Sequence, residues 1–453
     1  MQTVLNFVIF VVALCFVILV HELGHLALAR LAKVEVEEFS IGWGKRLLSW
    51  RKGGTLYLLK AFPIGGYCKM KGETEFRAAL AKGADDFDPE PGSFFAAKPL
   101  WRCAISFAGP MANALLACLL FALSGMIGKQ YPSVDSRILL LSGVQELAEP
   151  MPADISGLKD GDRVIRAGGR PVSDYDELRG AILSSANSAL PLVVERDGEE
   201  IELVVTPRLD PSSGSGFIGI VNYRECVAEA VEAGSPADRA GILPGDKIIE
   251  VDGKPVRHTY DLGIAFAGRP QRLNVVVERS GQALPLTILL EWAEGEESTL
   301  GKLGIGFPTV MHVDHPLPLF DALAHGSTRA IESLGATLKG IALLFQGIDI
   351  VNSIGGPARM FSYYDSSLSV KDPALATSNA IELTAAISVT LFVVNLLPIP
   401  AVDGGQILLF LFELIRRKRP KPKSIQKYQM AGWFVIIGLI TLSFASDLIF
   451  FTR

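Results

Sequence analysis

Charge is scarce in this chain. Of its 453 residues only 20% are Asp, Glu, Lys or Arg, while 49% are hydrophobic and the mean hydropathy is +0.34. That balance excludes an ordinary soluble globular protein before any window is inspected. Basic excess is missing too: the formal net charge is −5 and no basic block sits in the long middle, which argues against nucleic acid as a partner. Cysteine is sparse and scattered. Cys15, Cys103 and Cys118 fall in apolar runs, Cys68 in an intervening loop and Cys226 alone in the middle, so there is no disulfide framework. No Lys or Arg precedes the first apolar run, and basic residues follow it. This order is wrong for a cleaved export signal, despite the cleavage-like spacing of Ala27-Leu28-Ala29.

Long apolar runs are what the chain does have. Four stretches, roughly Val4–Ala27, Cys103–Ile127, Leu383–Val402 and Met430–Ser446, approach the ~20 residues a helix needs to cross a bilayer. They predict a multi-span α-helical membrane protein with transmembrane helices over 1–30, 99–128, 381–404 and 428–450. Lys and Arg crowd the 31–98 loop, and RRKRPKPKSIQK separates the last two runs, so both loops face the cytoplasm by the positive-inside tendency. The termini and the middle then lie outside. The 315–380 stretch, amphipathic from about Leu319 to Gln346, suits helix on the outer surface.

The middle is a repeat. GLKDGDRVIRAGGRPV from Gly157 returns as GILPGDKIIEVDGKPV from Gly241, with Gly161-Asp162 matched by Gly245-Asp246 and Pro171 by Pro255. VVERDGEEIELVV then returns as VVERSGQALPLTI, a strand, a Gly turn and a strand. Two small α+β domains, 135–208 and 218–292, follow, and their pattern resembles PDZ domains, which add an extended peptide to a sheet edge. The alternative is that they act only as spacers or as a size filter.

Histidine is rare, six in all, and two of them stand in HELGH, residues 21–25, at the inner end of the first run. On a helix His21 and His25 share a face and can aim ring nitrogens at one ion, with Glu22 beside them to take a proton from an attacking water. Ionisable groups at membrane depth are costly unless paired or metal-bound. His258, His312, His315 and His325 all lie in the middle, so a third ligand must come from elsewhere. NLLPIPAVDGG, residues 395–405, offers Asp403 at the same level, although Asp-Gly is also an ordinary turn signal. Pro398 and Pro400 with Asn395 interrupt helix there, which is tolerated where backbone groups find other partners. In FAGPMAN, residues 107–113, Gly109 and Pro110 allow close helix approach. Asn113 is either a bundle hydrogen bond or a donor to a developing oxyanion. The stretch 54–70, with Gly65, Gly66 and Tyr67, is either a packed cytoplasmic hairpin or one that dips beside the metal and pairs with substrate.

HELGH, FAGPMAN and NLLPIPAVDGG, in that order and around two PDZ-like copies, resemble the site-2 protease family of intramembrane zinc metalloproteases over nearly the whole chain. The resemblance implies one Zn2+ per chain held by His21, His25 and Asp403, with Glu22 as catalytic base. It further implies a membrane-associated β-hairpin through Gly65, Gly66 and Tyr67, and substrate handling by Asn113, Asn395, Pro398 and Pro400. Implied partners are membrane lipid and single-span membrane proteins, such as an anti-sigma factor after a first cut, or remnant signal peptides. The implied location is a bacterial inner membrane with the PDZ-like copies periplasmic. Val402 stands where the family usually has leucine, and Arg359 in IGGPARM where an apolar residue is expected. Competing classes, a PDZ scaffold or a metal transporter, leave Glu22 without a task or lack a polar series across the bilayer.

Overall fold

The computed structural model describes residues 2–452 except 85, 87, 146–148, 211–213, 293–298, 345–354 and 371. Parts of the first small domain (146–148) and of the 315–380 region (345–354 and 371) therefore lie outside the described residues. The chain divides into two compact units, Met1–Lys129 with Asp314–Arg453, and Gln130–Val313.

Among the described residues of the first unit, four helices are long and apolar enough to cross a membrane: Gln2–Leu31, Pro99–Ile127, Pro373–Leu396 and Pro422–Thr452. Proline opens three of them, where its missing N–H costs nothing. Asp372 caps the third, accepting from the Ala374 N–H at 2.8 Å. That third helix stops at Leu396 because Pro398 and Pro400 follow. A short loop then leads into a separate helix, Asp403–Arg416, of which Asp403 is the first residue.

The helix Leu319–Leu344 packs on the second spanning helix through Gly326, where a side chain would run into the Cys118 carbonyl. Ala117, Phe121, Ala330, Ala385 and Val389 form the apolar seam between these helices and the third span. Charges at this depth are partnered. Arg102, 2% exposed, donates to both Glu413 oxygens at 2.6 and 3.1 Å and lies over the Phe410 ring. Arg359, where the sequence led one to expect an apolar residue, donates to the Ser446 hydroxyl at 2.9 Å, lies 3.9 Å from the Asp447 carboxylate and covers the Phe450 ring.

After the first helix the chain forms a hairpin, Val36–Lys52 and Thr55–Met70, turned at Gly53-Gly54 with φ of +59° and +85°. Both positive values are what a two-residue I′ turn demands. The stretch 54–70 is thus mostly one strand of the hairpin rather than the whole of it. The strands bend back on themselves, so that Ile41 lies opposite both Gly66 and Leu59, and Leu59 also faces Leu48.

The second unit repeats itself in structure as in sequence. Each half has a four-stranded sheet of the same order: 170–171, 163–167, 190–196, 199–205 in one, and 254–255, 247–251, 272–279, 282–289 in the other. Asp197-Gly198 and Ser280-Gly281 turn equivalent hairpins with positive φ at both positions. The first core also takes in Ile218 and Ile220, and the second Leu303, Ile305 and Phe307, so each copy is closed by chain that follows its hairpin.

Candidate metal centre

The first two spanning helices cross at glycines. A side chain at Gly24 would overlap the Ala108 carbonyl, and one at Gly109 would meet His21 Nε2 at 2.8 Å and His25 Nε2 closer still. Close approach of the backbones therefore leaves the histidines facing a space that only glycine keeps open.

Asp403 arrives from the third side. Its Oδ2 is 3.2 Å from His21 Nε2, its Oδ1 is 3.5 Å from His25 Nε2, and the two Nε2 atoms are 3.1 Å apart. A tetrahedral Zn2+ at its usual ~2.0–2.2 Å from N and O ligands sets donors roughly 3.3–3.6 Å from one another. The triangle is therefore the right size, and two imidazoles with a carboxylate are the right chemistry. Both histidines are at most 9% exposed. His25 Nδ1 donates to the Ile105 carbonyl at 2.8 Å, which leaves the Nε2 lone pair of a neutral ring toward the triangle.

The loop that delivers Asp403 is tightly held. Ala401 has φ +82°, a rare conformation for a residue with a side chain and a place where strain gathers next to functional groups. Gly404 and Gly405 press against the Leu396 and Ile399 carbonyls, and Gly432 of the fourth spanning helix lies on Pro400. Tyr428 donates to the Gly405 carbonyl at 2.9 Å. Pro398 and Pro400 lie in this loop, and Asn395 is the last residue but one of the helix before it.

Glu22 is flanked by the hairpin. A side chain on Gly66 would lie 3.1 Å from Glu22 Cγ and 2.9 Å from the Ser40 carbonyl. Gly65 has φ +96°. The Tyr67 hydroxyl donates to Glu38 at 2.6 Å and accepts from Lys60 at 3.0 Å, turned away from the triangle. Asn113 is fully buried with its amide 3.2 Å from His21 Nδ1.

Gly161, Asp162, Gly245 and Asp246 belong to the second unit. Arg196 donates to both Asp162 oxygens at 2.7 Å, and Arg279 to both Asp246 oxygens at 2.7 and 2.6 Å. Each aspartate also accepts a backbone N–H, from Lys159 or Leu243. Hydrogen bonding from Arg279 holds the Asp246 carboxyl below its ordinary pKa. These pairs clamp the turn to the hairpin in each copy.

Sequence reasoning missed the Ile105 carbonyl and the strain at Ala401. Backbone groups leave no residue-type signal, so only Gly109 hinted at the close approach around the histidines.

A sequence model of Peptidase family M50 matches residues 9–439. A Treponema pallidum protein named as a candidate zinc metalloprotease is 34% identical over 98% of this chain and 99% of its own length. One from Ralstonia nicotianae with the same designation is 30% identical over 99% and 98%. The regulator of sigma-E protease RseP of Escherichia coli is 28% identical over 97% of each.

Proposed function

The chain belongs to peptidase family M50 and is a zinc-dependent, multi-span membrane protease, and from that premise we propose that it cleaves single-span membrane proteins within their spanning segments. The observation that carries this reading is the triangle of His21, His25 and Asp403 with Glu22 beside it, set between spanning helices.

Those three side chains would hold the ion; when bound, it supplies Lewis acidity to a peptide carbonyl and to water. Glu22 takes the proton from the attacking water and passes it to the leaving amine. A transmembrane helix hides its carbonyls in its own hydrogen bonds, so the substrate must unwind before attack. The strand through Gly65, Gly66 and Tyr67 runs beside Glu22 and offers an edge on which an unwound segment can pair. Asn395, Pro398 and Pro400, in the segment that leads to Asp403, would handle the substrate.

The termini and the two PDZ-like copies face the periplasm of a bacterial inner membrane, with the metal near the cytoplasmic side, as the basic loops suggest. The copies act as a size filter that admits substrates whose exported part has been trimmed. An anti-sigma factor after a first cut, by analogy with the sigma-E role in the name of the Escherichia coli relative, and remnant signal peptides fit that filter.

The test is cleavage of a single-span reporter with a short exported tail by protein in lipid nanodiscs. Chelation should stop it and Zn2+ should restore it. His21→Ala, His25→Ala and Asp403→Ala should lose both zinc and cleavage. Retained zinc in all three, or cleavage indifferent to chelation, would overturn the proposal.

A further inference from the structure

Asn113 is 0% exposed, and its Oδ1 is buried with no hydrogen-bond partner, while its Nδ2 lies 3.2 Å from His21 Nδ1. The residue cannot drift away, because Ser388 of the third spanning helix donates to its backbone carbonyl at 2.8 Å. A carboxamide has one end that only donates and one that only accepts, and half a turn about its last bond exchanges them. With the amide N–H toward Nδ1, a neutral His21 carries its proton on Nε2. That proton then points at Asp403 Oδ2, 3.2 Å away, which closes the triangle without an ion. Turned over, Oδ1 accepts from Nδ1–H, the orphaned oxygen gains a partner, and the Nε2 lone pair faces the triangle. His25 has no such choice, since the Ile105 carbonyl can only accept from its Nδ1.

We propose that Asn113 is a positioning residue that selects the His21 tautomer, presenting its oxygen to Nδ1 when zinc is held and its N–H when the triangle is closed on itself. This rests on the reading of His21, His25 and Asp403 as ligands. It sets the Asn113 amide behind a ligand rather than against the substrate.

The test is zinc affinity by chelator competition on full-length protein, with thermal unfolding measured alongside. Asn113→Leu, of similar size and without polar atoms, should bind zinc about 10–100-fold more weakly, the range for lost outer-shell partners. Asn113→Asp can only accept when ionised, so it should bind at least as tightly as wild type. Rescue by Asp and not by Leu is a pattern that a packing role would not produce. Leu binding as tightly as wild type, or Asp binding more weakly than wild type, overturns the proposal; should Leu not fold, the Asp comparison decides. Failure of the ligand reading itself would show separately, as zinc retained by His21→Ala.

Discussion

Gly109→Ala is the sharpest perturbation available, because it changes no chemical group. In an open helix interior the substitution would stabilise by about 0.8–1.0 kcal/mol. Here the added methyl would lie 2.8 Å from His21 Nε2 and nearer to His25 Nε2, inside the 3.0 Å that real Cβ atoms essentially never breach. The histidines cannot retreat freely, since His25 is tied to the Ile105 carbonyl and His21 to Asn113. The methyl would therefore compete with an ion held by the triangle for the same space. Zinc affinity should fall by about 100-fold, the upper end of what outer-shell changes cost, or roughly 2.7 kcal/mol. Chelator competition measures this directly, with Gly438→Ala as a control in a spanning helix with nothing within 4 Å of the new atom. Wild-type affinity and cleavage in Gly109→Ala would refute the reasoning, because the triangle would then not be where the ion sits.

Two further outcomes follow from pairs elsewhere. Arg102→Met strands the Glu413 carboxylate, 8% exposed, and should cost about 3–5 kcal/mol; Arg102→Met with Glu413→Leu should recover most of it, read by thermal unfolding in nanodiscs. Asp246 has a depressed folded pKa, so its contribution is complete above the unfolded value of about 3.9 and is lost as pH falls from there through the folded value. Hydrogen exchange over residues 226–307 of the full chain should show protection falling across that window in wild type, and a flatter, lower profile in Asp246→Asn.

Much of this was legible in the sequence because the signals are local. Spans of apolar residues, Gly-turn hairpins and the doubled GD turn each carry a mechanism within a few residues. The cluster of His21, His25 and Asp403 was legible for a different reason: i, i+4 histidines at membrane depth require an explanation, and Asp403 stood at the matching level. What stayed hidden depends on backbone atoms and long-range contact. Pro398 and Pro400 marked an interruption in the third span, but nothing in them foretold that Asp403 would open a new helix rather than end that span. Residues 54–70 suggested strands but not the bend that puts Ile41 between two stretches of the same partner strand. The closing segments around Ile220 and Ile305 lie beyond the repeated motifs, so the repeat alone could not reveal that they complete the cores.

The account stands most directly on Glu22 as the base beside a metal set among spanning helices. Fragments of a single-span reporter, incubated in nanodiscs with wild type and with Glu22→Gln, would be weighed by mass spectrometry while zinc content is measured on the same samples. The account predicts a cut inside the spanning segment by wild type, a loss of at least about 100-fold in the variant, and equal zinc in both. Equal cleavage by both proteins, or a cut only outside the span, would contradict it.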